Sequence, residues 1–188
     1  MSTLKSEPSV VLDACVLVPI ALCDALLRLA EEPSLYRPLW SEEILAELRS
    51  ALTREPFRLP RRKADYRIEC MRAAFPEAVV TGYEPLIVTV RIPAAHDKHI
   101  VAAAMHARAD AICTANTRHF PHGALARHGL EALTPDEFLL QALRRNSASV
   151  LDKLRDQARS RGLDLARLMD ILGKAAPRFA ERIQTLRV

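Results

Sequence analysis

Glycine is scarce in this chain. Five glycines among 188 residues leave too few permissive backbone positions for a glycine-rich barrel or linker protein. Aromatic residues make up 5%, with a single tryptophan, so a platform that stacks single-stranded bases has little support. No uninterrupted apolar run approaches the length of a membrane span. The four cysteines, Cys15, Cys23, Cys70 and Cys113, are scattered and never form Cys-x-x-Cys. That argues for reduced, buried thiols in a cytoplasm, and against both a disulfide framework and a zinc ribbon. Met1–Ser9 carries Lys5 but no apolar stretch, so it does not read as a signal peptide.

What remains is the profile of a soluble globular protein, 49% apolar and 27% charged. The length suits one domain with a short appendage, able to bury a core without a disulfide or metal staple. The net charge of +4 is unevenly spread. Arg144–Val188 holds 11 Lys/Arg against 5 Asp/Glu, and Met1–Leu143 holds 16 against 18. The tail is therefore basic and the body slightly acidic. A basic excess suits a polyanion such as RNA, although a solvated helix face is the commoner cause.

Hydrophobic patterning divides the chain into short strands and helices. Val10–Leu17 is an apolar run broken by one carboxylate, read as a buried parallel strand ending near Asp13. Pro19 opens a helix through Leu29. Tyr36–Trp40 is a strand, and Ser41 caps a helix that carries Glu42, Glu43 and Glu47. Arg61–Ala74 is a helix that Pro76 ends. Val79–Thr81 and Leu86–Val90 read as strands. Asp97 stands where it would cap a helix running to Met105, and Asp110–Thr114 is the next buried strand. Gly129–Leu133 is one more strand candidate, and Pro135 starts a helix to about Leu143. Beyond it only helical signals remain: Ser147–Arg159, Asp164–Leu172 and Pro177–Leu186, separated by Gly162 and Gly173. The alternation implies an α/β domain with a mainly parallel sheet over residues 1–143, and a basic helical extension over 144–188.

In an open parallel sheet, ligands gather at the carboxyl ends of the strands. Asp13 ends the first strand, Asn116 follows the Asp110–Thr114 strand, and Asp97 starts the helix feeding that strand. Glu47 lies one turn into the helix that begins at Ser41, with Glu43 competing for its role. Four oxygen-bearing side chains from distant parts of the chain can converge there. Hard divalent cations such as Mg²⁺ and Mn²⁺ take such ligands. Without a cation, the cluster would repel a phosphate backbone. Bland readings compete at each position: Asp97 as a helix cap, Glu47 as a solvated residue, Asn116 as a turn former. Asp13 resists one, because a carboxylate inside a buried run is costly unless paired or bound to metal.

Four segments carry a resemblance: Val11-Leu-Asp-Ala-Cys-Val-Leu17, Ile44-Leu-Ala-Glu-Leu48, Asp97-Lys-His-Ile-Val-Ala-Ala-Ala104 and Ile112-Cys-Thr-Ala-Asn-Thr-Arg-His-Phe120. They resemble, in order, the successive acidic motifs of PIN domains. The tail is similar to the extension of one branch of VapC-type toxins. The resemblance implies a three-layer α/β/α fold and endonucleolytic cleavage of RNA by a metal-activated water, leaving a 5′-phosphate and a 3′-hydroxyl. It implies Asp13, Glu47 and Asp97 as ligands of Mg²⁺ (or Mn²⁺). Asn116 stands where many members carry a fourth aspartate; its amide oxygen can ligate but adds no charge. Ala14-Cys15 stands where many members have Thr-Asn, so the groups that orient Asp13 must differ here. A cognate antitoxin protein and a homodimer are implied by the family alone.

The histidines invite a zinc reading, since His96-x-x-His99 and His119-x-x-His122 have ligand-like spacing. No cysteine pair accompanies them and Asp97 interrupts the first pair, which disfavours zinc. His99 and His119 read as surface side chains or as flanks of the site that touch RNA. Thr114 either adds a hydroxyl to the site or packs at a strand end. The basic stretch Arg54–Arg72 fits an RNA groove or an ordinary exposed helix. A receiver domain lacks its neighbouring acid pair here, and a haloacid-dehalogenase-like phosphatase would need Asp-x-Asp where this chain has Asp13-Ala-Cys15. The readings that stand are a toxin endoribonuclease, a housekeeping RNA-processing nuclease, and a non-catalytic RNA-binding or assembly module.

Overall fold

The first buried run of the sequence forms the middle of the sheet. In the computed structural model, which describes residues 7–186, strand β1 (Ser9–Leu12) is buried at every position. Both of its faces are therefore covered, as expected for a strand of a parallel sheet. β2 (Arg37–Ser41) and β4 (Ala111–Cys113) flank it, with Val11 opposite both Leu39 and Ile112. β3 (Val79–Val80) and β5 (Glu131–Leu133) complete the order β3-β2-β1-β4-β5, and every pairing is parallel. Residues 1–6, which include Lys5, and Arg187 of the basic tail lie outside the described residues.

Helices link the strands, as the alternating pattern requires. After β1 come a single turn, α1 (Ala14–Leu17), and α2 (Ile20–Ala30). β2 runs directly into α3 (Glu42–Thr53), whose N-cap Ser41 accepts from Ile44 N. α4 (Arg61–Ala74) buries Ala64, Ile68 and Met71, one stripe at helical spacing. Two of its five basic residues are held against the rest of the domain. Arg67 donates to the carbonyls of Leu17 and Val18, Arg72 pairs with Glu42, and Arg49 of α3 pairs with Asp65. α5 (Lys98–His106) precedes β4, α6 (His122–Ala126) precedes β5, and α7 (Pro135–Arg145) follows it.

Two local expectations fail. Leu86–Val90 is no strand: Glu84–Thr89 forms a 3₁₀ turn that packs on α5 and leaves Val88 74% exposed. Pro85 fits the start of such a turn, and a short apolar run cannot by itself distinguish strand from helix. Asp97 occupies the N-cap position of α5, but its side chain makes no capping bond. It is turned toward two histidines instead.

The C-terminal segment folds into α8 (Ser147–Ser160), α9 (Leu165–Leu172) and α10 (Pro177–Thr185). Gly162, with φ of 65°, makes the turn after α8 that a residue with a Cβ would strain. These helices pack on α2 and α7. Gln157 donates to Ala21 O at 2.8 Å, and Arg161 pairs with Asp24. Buried Asp136 of α7 accepts from Phe179 N at 2.8 Å and pairs with Arg178, which fixes the start of α10.

Candidate active site

The strand ends deliver the first part of the site. Asp13 directly follows β1 and caps α1, so its carboxylate is held at the carboxyl edge of the sheet. It is 7% exposed. Three donors surround it: Cys15 N at 3.3 Å, the Cys15 thiol at 3.0 Å and the Thr114 hydroxyl at 2.6 Å. Thr114 directly follows β4 and is fully buried. Its hydroxyl also accepts from Asn116 N at 3.0 Å. Thr114 and Cys15 thus supply the orienting groups for Asp13. Thr114 is bonded to Asp13 and not merely packed at the strand end. Burial, reinforced by the charge of Asp13, pushes the Cys15 thiol up to about 12, so it stays protonated and remains a donor.

Asp97 forms the second part. It is 9% exposed, at the end of the 3₁₀ turn Ala95–Asp97. His119 Nδ1 lies 2.7 Å from its Oδ2, and His96 Nε2 lies 3.4 Å from its Oδ1. The two imidazoles meet edge to face, 5.7 Å between centroids. His119 ends the 3₁₀ turn Thr117–His119, and its N–H donates to Asn116 O at 2.9 Å. That turn links the Asp97 group to the Asp13 group.

Glu47 belongs to a third group. It faces His99 Nε2 at 3.2 Å, while Glu43 faces Nδ1 at 3.6 Å. His99 is 3% exposed, which corrects the expectation of a surface side chain. Neither carboxylate is aligned for a hydrogen bond, so the attraction is electrostatic. Burial disfavours the charged imidazole, but Glu47, Glu43 and Asp97 together outweigh it and raise its pKa above the ordinary value.

The structure therefore places the expected residues in three groups, two of them joined by the Thr117–His119 turn. Asp13, Glu47 and Asp97 do not form one tight cluster: among the described residues, the one set of three His/Cys/Asp/Glu side chains with ligand atoms within 4.8 Å is His96, Asp97 and His119. The Asn116 side chain has no hydrogen-bond partner among the described residues. Sequence spacing had paired His96 with His99 and His119 with His122. The fold instead joins His96 to His119 across Asp97. The signal that could have found His99 is its place in a helix whose next five residues are apolar and buried.

The donor chemistry fits a hard divalent cation. Asp13 and Asp97 are buried carboxylates, and no Lys or Arg pairs with Asp13, Asp97 or Glu47 among the described residues. Buried carboxylates that no Lys or Arg neutralises suit a cation of the Mg²⁺ or Mn²⁺ type.

The comparisons with known proteins agree with this architecture. A family model described as PIN domain matches residues 9–118, a stretch that contains all four expected site residues. The chain belongs to the PIN-domain family. Over 112 residues it is 34% identical to a protein of Mycobacterium tuberculosis (strain ATCC 25618 / H37Rv) described as "Putative ribonuclease VapC50". That alignment covers 58% of this chain and 66% of the relative, just short of two thirds of its length. No solved structure matches the chain. Among the described residues, no helix is long and apolar enough to cross a membrane.

Proposed function

We propose that this protein is a metal-dependent endoribonuclease, the toxin of a toxin–antitoxin pair. The observation that carries the reading is the edge of a PIN domain where Asp13 and Asp97 stand buried without a Lys or Arg partner among the described residues. Similarity to a protein named as a ribonuclease supports RNA as the substrate. A cognate antitoxin and a homodimer belong to the same reading. Asp13, Asp97 and Glu47 would hold Mg²⁺ or Mn²⁺, with the amide oxygen of Asn116 as a further neutral ligand.

The bound cation would activate water and stabilise charge on the phosphate. The chain's own contribution is to position the ligands. Thr114 and the Cys15 thiol hold the Asp13 carboxylate in one orientation. Buried His99 lies against the part-exposed carboxylates of Glu47 and Glu43 and holds that side of the site in place. His119 restrains Asp97.

Asn116 favours a second reading, a non-catalytic RNA-binding module, because it lacks the charge of a fourth acid. One experiment separates the two. Purified protein is incubated with a mixed RNA pool and Mg²⁺ or Mn²⁺, with EDTA, and as Asp13→Ala. The nuclease reading expects metal-dependent cutting that the variant and EDTA abolish. Folded protein that binds RNA but never cuts it under any of these metals would favour the binding module.

A further inference from the structure

We propose that His96, Asp97 and His119 form a binding site for a borderline divalent transition cation of the Zn²⁺ type. The three side chains each place a ligand atom within 4.8 Å of the others. Ligands held at about 2.1 Å from a tetrahedral ion are about 3.4 Å apart. The separation of 3.4 Å (His96 Nε2 to Asp97 Oδ1) matches that spacing, and the 2.7 Å contact (His119 Nδ1 to Asp97 Oδ2) is a hydrogen bond that the ion would replace.

The backbone prepares this arrangement. One 3₁₀ turn, Ala95–Asp97, presents His96 and Asp97, and a second, Thr117–His119, presents His119 from across the sheet edge. The anionic ligand is buried while His96 is largely exposed. An ion can therefore enter from solvent and meet a pre-positioned carboxylate. Two imidazoles with one carboxylate is a ligand set suited to Zn²⁺ and its neighbours, whereas Mg²⁺ prefers oxygen alone. Three protein ligands leave a fourth position open for water or another small ligand.

The site shares Asp97 with the proposed nuclease centre but does not rest on the nuclease reading, because binding is measured without RNA. Zn²⁺ is titrated into the metal-free full chain against a chromophoric chelator. The wild type is compared with His96→Ala, His119→Ala, His122→Ala and Asp13→Asn, each checked for folding by circular dichroism in EDTA. A single equivalent is expected to bind. Its affinity should fall about ten-fold or more in His96→Ala and in His119→Ala. It should be unchanged in His122→Ala and Asp13→Asn. X-ray absorption at the zinc edge should show imidazole scattering. No uptake by wild type, or wild-type affinity in either the His96 or the His119 variant, overturns the proposal. Loss of affinity in Asp13→Asn instead would place the ion at the nuclease centre and overturn it equally.

Discussion

Replacing Thr114 by valine removes one hydroxyl from a fully buried position while keeping the branched shape. That hydroxyl donates to Asp13 at 2.6 Å and accepts from Asn116 N at 3.0 Å. A hydrogen bond to a charged group contributes about 1.5–3 kcal/mol, and the Asn116 N–H would be left without its acceptor. The expected cost is about 2–3 kcal/mol, or about 4–12 °C in Tm for a protein of this size. Thr114→Ser keeps the hydroxyl and loses one methyl, at about 1 kcal/mol. Thermal melts in EDTA measure both without interference from metal. A double-mutant cycle supplies the control: in an Asp13→Asn background, Thr114→Val should cost at least about 1 kcal/mol less. The reasoning fails if valine costs no more than serine, or if its cost is the same with and without the Asp13 charge.

Other predictions follow from contacts elsewhere. Asp136→Ala removes both the acceptor for Phe179 N and the partner of Arg178. It should cost about 2–3 kcal/mol and expose the α9–α10 region to limited proteolysis well below the global unfolding temperature. A thiol reagent at neutral pH should find one fast cysteine, the exposed Cys70, while Cys15, Cys23 and Cys113 react only on unfolding. Thr134 and Glu137 form a capping box at the start of α7, and the Thr134 N–H and hydroxyl hold the Glu137 pKa below its ordinary value. A lowered folded-state pKa adds stability above the unfolded value that disappears as pH falls through the folded one. Between about pH 5 and pH 3 the wild type should therefore lose more Tm than Glu137→Gln. Equal losses would contradict the assignment.

The parts of the fold legible in the sequence are those where burial writes itself into composition. β1, β2 and β4 are apolar runs because a parallel sheet covers both faces of its strands. Asp13 stood out for the same reason, as a charge where the pattern allows none. The 3₁₀ turn at Glu84–Thr89 was not legible, since its apolar residues lie partly exposed on α5 and carry no period of their own. The groups around Asp13 were illegible for another reason. Thr114 lies 101 residues away in sequence, and only strand pairing brings it there. The histidines show the same limit. Spacing along a chain pairs His96 with His99, whereas α5 sends His99 inward to Glu47 and the 3₁₀ turn before it leaves His96 beside His119. The place of Asp97 before α5 fits a cap as well as a ligand, and only its side-chain direction reveals its partners.

The central claim is that Asp13 anchors a divalent-cation centre that cleaves RNA. Its most direct test is Mn²⁺ binding to the metal-free full chain, followed by electron paramagnetic resonance, for wild type and for Asp13→Asn shown by circular dichroism to be folded. The account predicts that wild type takes up Mn²⁺ and that the variant loses this binding together with RNA cleavage. Mn²⁺ bound equally well by both proteins, or a variant that still cuts RNA at the wild-type rate, would contradict it.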